Sequence, residues 1–495
     1  MTESSANIDV SLVPAEVVQT IQTLINKGFE AFLVGGCVRD LILGRTPKDW
    51  DITTGATPDE IIASFGHTFY ENKFGTVGIV YEKEGVEDFV IEATPYRTEG
   101  EYTDGRRPNS VSFSKNVHDD LIRRDFTMNA IAYNPVTGAF VDDHRGIKDI
   151  KDKVIRAVGD ATERFLEDGL RVMRAVRFAS ELGFTINNDT EKALFDCRNM
   201  LGKIAKERIR EEFNKLLMSD IPMAGIFMLQ RYGLLTYIVP ELEEGLNTEQ
   251  NQAHSYTVYE HLLRSLQCAA DKKYSLEMRL SALFHDIGKP KSRRYSEEKR
   301  DYTFYGHEVI GAKMTEKILK DLKYPTSTIE KVVKLVRWHM FFSDTAEISL
   351  SAVRRMVVNV GKDNIWDLMN LRICDRVGTG RPKENPYRFR KYKAMLEQVL
   401  RDPITVGMLK IDGNILMKKL HMEPGPRIGM ILNALLEEVL ENPTKNTGDY
   451  LEQRAKELGE LDIHVLKKLG DSGKEAREAK EKEVISEIQE KYAVK

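Results

Sequence analysis

Residues 31–54 read Ala-Phe-Leu-Val-Gly-Gly-Cys-Val-Arg-Asp-Leu-Ile-Leu-Gly-Arg-Thr-Pro-Lys-Asp-Trp-Asp-Ile-Thr-Thr, and this stretch decides how the N-terminal part of the chain folds. Its apolar run, Ala31–Val34, has the length of a buried strand. Gly35-Gly36 then break the strand, and the segment Cys37–Leu43 predicts a helix that ends at Gly44. The pattern therefore predicts a strand, a glycine turn and a helix in direct succession.

Two carboxylates, Asp49 and Asp51, follow the predicted helix and are separated by a single residue. If Asp49–Thr53 is a strand, its alternation places both side chains on one face of the sheet. Adjacent carboxylates repel each other, and a divalent cation relieves that repulsion. One or two carboxylates, completed by water and phosphate oxygens, are typical Mg²⁺ ligands. We therefore predict that Asp49 and Asp51 are catalytic residues that bind Mg²⁺.

The glycine turn and the helix after it have the chemistry of a phosphate site. Glycine lets the backbone approach a ligand closely, and a helix N-terminus favours anions because its first N–H groups are unsatisfied. Arg39 lies on the same helix, and we predict that Gly35, Gly36 and Arg39 bind the phosphates of a nucleotide. Taken singly, each feature has a structural alternative, namely a tight turn or a pair of surface acids.

Composition sets broad limits on the protein. With 495 residues, 41% of them hydrophobic and 30% charged, the chain has material for roughly two to four domains. Its net charge is −4, so nucleic-acid contacts must come from local basic patches. The four widely spaced cysteines argue against a disulfide framework or zinc ribbon and suit a reducing cytoplasm. We expect no membrane span, because no apolar run reaches roughly 18 residues.

Residues 33–51 combine Gly-Gly, a short spacer and Asp-x-Asp in one order. This stretch resembles motif A of the class II tRNA nucleotidyltransferases, the CCA-adding enzymes, and of their bacterial poly(A) polymerase relatives. The segment Asp120–Tyr133 resembles motif B of that family, which implies that Arg124 contacts the nucleotide. Glu92, at the centre of the predicted strand Asp88–Thr94, is a candidate third carboxylate.

Four further segments resemble parts of the family. The polar segment 97–113 is similar to the flexible loop of full CCA-adding and A-adding members, which argues against a CC-only enzyme. The turn Asp142–Asp149 resembles motif C, a hinge of head against neck. The segment Ile204–Leu217 resembles motif E, whose role is mainly structural. The segment 424–432 resembles the part of the family tail that grips the tRNA elbow.

Four charged residues recur at a spacing of three in a segment that reads as helical: Asp168, Arg171, Arg174 and Arg177. The arginines have few acids to pair with. Aspartate only accepts hydrogen bonds and arginine only donates them. Cytosine and adenine both present an amino donor beside a ring-nitrogen acceptor, so Asp168 and Arg171 together select these two bases without a template. The stretch resembles family motif D, which assigns that role. Arg174 and Arg177 would meet the triphosphate or the RNA end.

A second pattern of possible metal ligands occurs in residues 254–376. The adjacent pair His285-Asp286 precedes Ile-Gly-Lys; one further member comes before this pair and three follow it. The set resembles the six-ligand form of the HD metal-dependent phosphohydrolases: His261, His285, Asp286, His307, His339 and Asp375. Imidazole and carboxylate ligands suit transition metals such as Mn²⁺, Ni²⁺, Co²⁺ or Fe²⁺, which activate water for phosphoester hydrolysis. We predict metal binding here, with Lys289 available for a phosphate, and leave hydrolytic activity open.

The resemblance implies an α+β protein whose head, with a small mixed sheet and helices, precedes an all-helical neck, an HD-containing body and a tail. The expected bounds are 13–155 for the nucleotidyltransferase head, 156–240 for the neck with the nucleotide-selecting helix, 241–385 for the body and 386–495 for the tRNA-binding tail. Residues 467–495 read as an exposed helix without chemistry.

The sequence thus predicts a cytoplasmic enzyme that adds the 3′-terminal CCA to tRNA from CTP and ATP, without a membrane or protein partner. The expected mechanism is two-metal nucleotidyl transfer, in which Asp49 and Asp51 hold two Mg²⁺ ions, one that activates the terminal 3′-hydroxyl and one that binds the triphosphate. Three alternatives remain. Within the same chemistry the chain is an A-adding enzyme or a poly(A) polymerase. From another class, it is an HD nucleotide phosphohydrolase with an inert head. The intact carboxylates of the head argue against this alternative. The weakest alternative is a non-catalytic RNA-binding protein.

Overall fold

The computed structural model describes residues 8–70, 75–82, 85, 88–100, 111–251, 255–341, 350–380, 384–400 and 406–471. The chain forms two compact units, Met1–Ile238 and Val239–Lys495. Within the described ranges, every helix is too short or too polar to cross a bilayer.

The strands of the first unit are short and lie mostly before residue 142. They are β1 (Ala31–Val34), β2 (Asp51–Thr54), β3 (Thr68–Tyr70), β4 (Val77–Tyr81), β5 (Phe89–Pro95), β6 (Arg97–Glu99), β7 (Val111–Phe113), β8 (Ala132–Tyr133), β9 (Phe140–Val141), β10 (Val154–Ile155) and β11 (Thr185–Ile186).

A seven-stranded sheet with the order β3-β4-β5-β2-β1-β8-β9 forms the centre of this unit. Its neighbouring strands are antiparallel except for β2 and β5, which pair in parallel with Asp51 opposite Glu92. Strands β6 and β7 form a separate hairpin at the ends of the segment predicted to be a flexible loop. Residues 101–110 of that loop lie outside the described residues.

Ten helices of the first unit are described. They are α1 (Ala15–Asn26), α2 (Gly36–Ile42), α3 (Pro58–Ile62), α4 (Val117–Ile122), α5 (Gly146–Lys151), α6 (Ala161–Glu167), α7 (Leu170–Leu182), α8 (Asn188–Asp196), α9 (Lys206–Leu217) and α10 (Pro222–Arg231). The predicted neck is helical apart from β11, which pairs in parallel with β10.

Local signals account for the elements around the glycine turn. Strand β1 has the predicted bounds, and α2 begins one residue earlier than predicted. The predicted strand Asp49–Thr53 is wrong at its start, because β2 begins at Asp51 and Asp49 lies in an exposed bend. The register explains this difference. Leu33 is opposite Ile52, so β1 ends where β2 begins and residues before Asp51 have no partner in β1.

In its described residues the second unit is helical apart from one hairpin, formed by β12 (Arg294–Ser296) and β13 (Asp301–Thr303). Its helices are α11 (Val258–Asp271), α12 (Leu276–Phe284), α13 (Lys289–Ser292), α14 (His307–Asp321), α15 (Thr326–Trp338), α16 (Leu350–Val360), α17 (Ile365–Gly378), α18 (Tyr387–Val399), α19 (Gly413–Lys419), α20 (Pro426–Glu441), α21 (Gly448–Gly459) and α22 (Ile463–Asp471). One apolar core extends from Cys268 to Leu466, so the predicted tail packs with the body. The predicted terminal helix is described only as far as Asp471.

Candidate functional site

The turn between β1 and α2 requires a glycine at position 35. Gly35 has φ +82°, a conformation that residues with a side chain rarely adopt. A Cβ atom there would lie 3.2 Å from Arg124 Nη1 and 3.6 Å from Asp51 Oδ2. The absence of a side chain therefore leaves room for the guanidinium and the carboxylate to lie together against the turn.

Asp51 and Glu92 lie side by side on one face of the sheet. Directly paired residues of parallel strands are about 4.8 Å apart in the hydrogen-bonding direction and point to the same face. The backbone N–H of Glu92 donates to Trp50 O at 3.1 Å, so β5 stays hydrogen-bonded to the residue just before β2. The structure therefore places the candidate third carboxylate beside Asp51, whereas Asp49 lies just outside the strand.

A cleft of about 250 Å³ adjoins Asp51. Asp51 contributes an acid to its wall, and three arginines contribute positive charge: Arg97, Arg123 and Arg124. Burial and the neighbouring Asp51 carboxylate raise the pKa of Cys37 to about 12, so this thiol stays protonated. The cleft thus combines the charges that a cation and a polyphosphate need.

Arg124 is held in this cleft by Asp120. Its Nη2 donates to Asp120 Oδ2 at 2.8 Å, and Arg123 Nε donates to Oδ1 of the same carboxylate at 2.9 Å. Burial alone would raise the pKa of Asp120, but the two guanidinium groups hold it below the usual value of an aspartate. Asp120 therefore fixes the two arginines that face the cleft.

The side chain of Arg39 contacts other protein groups in the structure, whereas the sequence predicts that it binds the triphosphate. Its side chain is buried, donates to Asp40 Oδ1 at 2.9 Å and to Asn129 Oδ1 at 3.0 Å, and lies 5.2 Å from the ring centre of Phe178. These contacts connect α2 to the motif B segment. Its contact with a nucleotide stays a prediction.

The helix predicted to carry Asp168 and Arg171 is interrupted between them. Helix α6 ends at Glu167, Asp168 has extended backbone with φ −141°, and α7 begins only at Leu170. Two contacts cause the interruption. A Cβ at Gly169 would lie 2.8 Å from Met200 O, so the chain packs closely there. Asp168 Oδ1 also accepts the N–H of Leu170 at 3.1 Å, which replaces a helical hydrogen bond.

The two residues nevertheless stay neighbours at the start of α7. The N–H of Arg171 donates to Asp168 O at 3.0 Å in a turn. Arg171 Nη1 donates to Glu167 Oε2 at 2.5 Å, and its Nη2 donates to Arg123 O at 3.2 Å. Because Arg123 lines the cleft beside Asp51, the start of α7 adjoins that cleft.

Arg174 and Arg177 have acidic partners that are distant in sequence, so the expectation that few acids pair with them is wrong. Arg174 Nε donates to Asp125 Oδ2 at 2.8 Å, and Arg177 Nε donates to Glu212 Oε2 at 2.6 Å. Arg174 Nη1 also reaches Glu212 Oε1 at 3.2 Å. Burial alone would raise the pKa of Glu212, but Arg174 and Arg177 hold it below its usual value.

The second unit brings all six predicted HD ligands together in a buried cluster. Two groups form around Asp286. His261 Nε2 lies 3.0 Å and His285 Nε2 lies 3.4 Å from Asp286 Oδ2. On the other side, His307 Nε2 lies 3.1 Å and His339 Nε2 lies 3.3 Å from Asp286 Oδ1. Asp375 Oδ1 completes the first group, 3.5 Å from His261 Nε2.

Backbone carbonyls orient three of these rings. The Nδ1 atoms of His285, His307 and His339 lie 2.9, 2.6 and 2.7 Å from the carbonyls of Ala282, Phe304 and Val336. A carbonyl only accepts, so each Nδ1 carries a proton, and in the neutral, metal-binding form of the ring the lone pair lies at Nε2. The lone pairs of His307 and His339 face each other at 3.3 Å. This arrangement suits a cation between the two rings. The contacts of Nδ1 with backbone carbonyls are the usual second shell of a metal-binding histidine.

Charged neighbours compensate the buried carboxylates. Lys289 Nζ lies 2.6 Å from Asp286 Oδ2 and donates to Gln250 Oε1 at 2.6 Å. Burial alone would lower the pKa of His285, but Asp286 and Asp375 raise it to about 9. The predicted phosphate contact of Lys289 stays a prediction, and its observed partners are protein groups.

Family models match three successive parts of the chain. They are a poly(A) polymerase head domain over residues 31–156, a probable RNA- and SrmB-binding site of polymerase A over residues 183–246, and an HD domain over residues 258–375.

Curated relatives match nearly the whole length. The CCA-adding enzyme of Lactobacillus helveticus is 32% identical over 443 residues, which cover 88% of this chain and 96% of that protein. The chain belongs to the CCA-adding enzymes. The member from Geobacillus thermodenitrificans is also 32% identical, over 86% of this chain and 92% of that protein. The crystal structure of the Bacillus stearothermophilus CCA-adding enzyme in complex with CTP has a TM-score of 0.66 at 28% identity and covers 89% of this chain and 97% of that one.

Membership in the CCA-adding enzymes makes the chain a nucleotidyltransferase and implies dependence on a divalent metal ion. The head model is shared with poly(A) polymerases, so the full-length relatives distinguish the CCA-adding family from its rivals. The predicted α+β architecture is confirmed by this likeness and by the observed mixed sheet with a helical body.

Two residues of this CCA-adding enzyme that sequence reasoning did not single out lie on α9. Arg208 donates to both oxygens of Asp168, at 3.1 and 2.7 Å, and Glu212 joins Arg174 to Arg177. The two residues are four apart, so they lie on one face of the helix. The spacing of four is visible in the sequence of the motif E stretch, but the partners of Arg208 and Glu212 are evident only in the folded chain.

Proposed function

We propose that this chain adds the 3′-terminal CCA to tRNA, using CTP and ATP and no nucleic-acid template. The observation that carries the proposal is the pairing of Asp51 with Glu92 at the glycine turn, beside Arg124. In this arrangement the carboxylates bind the cation, Arg124 and the backbone at Gly35 and Gly36 bind phosphate, and the turn admits the ligand. The catalytic roles of Asp49 and Asp51 belong to the same proposal.

The donor set of the cleft fits Mg²⁺, because it consists of carboxylate oxygens with room for phosphate oxygens and water. Asp51, Asp49 and Glu92 are the residues that would hold the ion. When bound, Mg²⁺ polarises the phosphate and assists attack of the terminal 3′-hydroxyl on the α-phosphate, with pyrophosphate as the leaving group. These side chains would hold the ions beside the arginines that line the cleft and would bind the triphosphate.

Base selection is the proposed role of Asp168 and Arg171. Although a turn joins them instead of a continuous helix, both lie at the start of α7, and Arg171 touches the backbone of cleft residue Arg123. Nucleotide contacts remain proposed for Arg39, Arg174 and Arg177. Their buried protein partners favour an indirect role, in which they hold α2, α7 and α9 together.

The direct test uses purified protein and a tRNA that lacks its CCA end. With CTP alone we expect addition of two nucleotides, with ATP alone almost none, and with both the complete CCA. A tRNA that already ends in CC should accept a single A. Extension of the shortened tRNA by ATP alone, without use of CTP, would contradict the proposal and identify an A-adding enzyme.

Arg208 is expected to matter for base selection even though it lies outside the motif D pair. Replacing Arg208 by alanine removes both charged donors from Asp168, so its carboxylate is no longer held in one orientation. Charge-assisted hydrogen bonds contribute about 1.5–3 kcal/mol, so we expect kcat/KM for CTP and ATP to fall about 10- to 100-fold. Steady-state kinetics with CTP, ATP and UTP measure this effect.

A merely structural role of Arg208 would lower activity with all nucleotides alike. We expect instead that discrimination against UTP also weakens, and that Arg208→Lys recovers part of it. Arg210→Ala, on the same helix, is the matched control and should keep wild-type selectivity. Unchanged discrimination in Arg208→Ala would refute a positioning role.

The HD cluster supports a second activity, which we propose to be metal-dependent hydrolysis of phosphate esters, either as a phosphatase or as a 2′,3′-cyclic phosphodiesterase. Four imidazoles and two carboxylates fit a transition metal such as Mn²⁺, Ni²⁺, Co²⁺ or Fe²⁺. Asp286 presents one oxygen to each histidine pair, which favours a centre for two ions with Asp286 between them. When bound, such ions activate water for attack on phosphorus.

We further propose the division into a head (13–155), a neck (156–240), a body (241–385) and a tRNA-binding tail (386–495), supported in part by the compact unit that ends at Ile238. We also propose a cytoplasmic location, since tRNA is the proposed substrate and the four cysteines are free thiols.

A further inference from the structure

Two cavities of the second unit share part of their walls. The first, of about 440 Å³, is lined by four residues of the HD cluster, the candidate metal centre, and by Arg372 and Arg376 of α17. The second, of about 360 Å³, is lined by the same two arginines and by the N-terminal end of α18, at Tyr387, Arg388 and Phe389. Because the same side chains line both cavities, the second cavity directly adjoins the first.

The second cavity has the composition of a single-strand nucleic-acid site. Three arginines line it, and none of its described lining residues is acidic. Tyr387 is 70% exposed, whereas Phe389 is buried in the core. Sites for single-stranded nucleic acid combine such positive charge, which follows the backbone phosphates, with an exposed aromatic ring on which a base stacks.

Arg372 links this cavity to the metal centre. Its Nη1 donates to Asp375 Oδ2 at 2.5 Å, while the other carboxylate oxygen, Asp375 Oδ1, faces His261. Arg376 follows Arg372 by one helical turn and therefore lies on the same side of α17. The positive charge of these two residues thus extends from the metal centre into the second cavity.

We propose that the second cavity binds the penultimate nucleotide of a single-stranded RNA end whose terminal phosphate lies at the metal centre. The inference rests on the proposed HD hydrolase and specifies its substrate. A free mononucleotide occupies only the first cavity, whereas an RNA end also gains a stacking contact with Tyr387 and a phosphate contact with Arg388. The site therefore favours RNA ends over free nucleotides.

Photocrosslinking tests the location of the RNA without relying on catalysis. The probe is a hexanucleotide with 4-thiouridine at the penultimate position and a terminal 3′-phosphate, irradiated with the full-length protein and mapped by mass spectrometry. We expect the adduct in the peptide that contains Tyr387, about tenfold less of it in Tyr387→Ala, and recovery in Tyr387→Phe. Lys391→Ala, on the same helix but outside the cavity, is the control and should behave as wild type. An adduct elsewhere, or one insensitive to Tyr387→Ala, overturns the proposal.

Kinetics separate this inference from the hydrolase proposal. With Mn²⁺ present, we expect a hexanucleotide ending in a 2′,3′-cyclic phosphate to have a KM about tenfold below that of uridine 2′,3′-cyclic phosphate. Tyr387→Ala should remove the difference and leave the mononucleotide KM unchanged. Equal KM values in the wild type overturn the RNA site while the hydrolase stands. If neither compound is hydrolysed, the hydrolase fails and the crosslink alone decides the RNA site.

Discussion

Replacing Asp51 by asparagine is expected to reduce CCA addition at least about a thousandfold, because the exchange keeps the shape of the side chain and removes the charge that binds the cation. A catalytic ion contributes several kcal/mol to transition-state stabilisation, and each 1.36 kcal/mol corresponds to about a tenfold change in rate. The measurement is single-turnover addition of labelled CTP to tRNA that lacks its CCA end. The fold should persist, since Arg124 keeps its ion pair with Asp120.

Three further variants sharpen this test. Asp49→Asn should also inactivate the enzyme if the bend before β2 brings its side chain to the ion. Glu92→Gln should cause a smaller loss if Glu92 only assists Asp51. Asp59→Asn removes an exposed acid of α3 and is the matched control, with activity expected within about twofold of wild type. Addition by Asp51→Asn within tenfold of wild type would mean that Asp51 is not a metal ligand for this reaction.

The first part of the active site follows from local sequence. A short apolar run followed by two glycines suffices to place β1, the turn and α2, because a strand and a glycine turn depend on neighbouring residues. The same local reasoning fails at Asp49, where the end of β1 limits the strand. Pairing of Asp51 with Glu92 also requires the sheet order, since the two residues are far apart in sequence and belong to a parallel pair of strands that a local pattern does not reveal.

The motif D region shows a second limit of sequence reasoning. Helical spacing suggested one face for Asp168 and Arg171, yet close packing of Gly169 against Met200 interrupts the helix between them. Glu212, the acid that Arg174 and Arg177 share, comes from α9. Such pairing depends on how two helices pack, which the spacing along either helix does not give.

The HD ligands were predictable as a set because the pair His285-Asp286 and the ordered histidines form a distinctive pattern. The sequence does not show which ligand lies between the others. In the structure, each oxygen of Asp286 faces a different pair of histidines. This geometry predicts that up to two metal ions bind per chain, which the identity of the six residues alone does not.

Asp286→Asn is expected to remove bound metal from both halves of the HD centre. The wild type should bind up to two ions per chain after reconstitution with Mn²⁺, and Asp286→Asn close to none, as measured by elemental analysis after gel filtration. Hydrolysis of 2′,3′-cyclic nucleotides should disappear, while CCA addition by the head continues. The exchange also leaves Lys289 without its carboxylate partner in a buried site, so a loss of about 3–5 kcal/mol in the free energy of unfolding is expected.

Because that loss risks unfolding the second unit, His307→Gln provides an independent arm. His307 contacts only the Oδ1 side of Asp286, so this variant should keep one ion with His261, His285 and Asp375 and lose the other. His464→Gln, an exposed histidine of the same unit, is the control and should retain full metal content. Complete loss of metal in His307→Gln would show a single ion that all six residues share, and full retention would show that the Oδ1 side binds none. Either result contradicts a centre in which Asp286 lies between two ions.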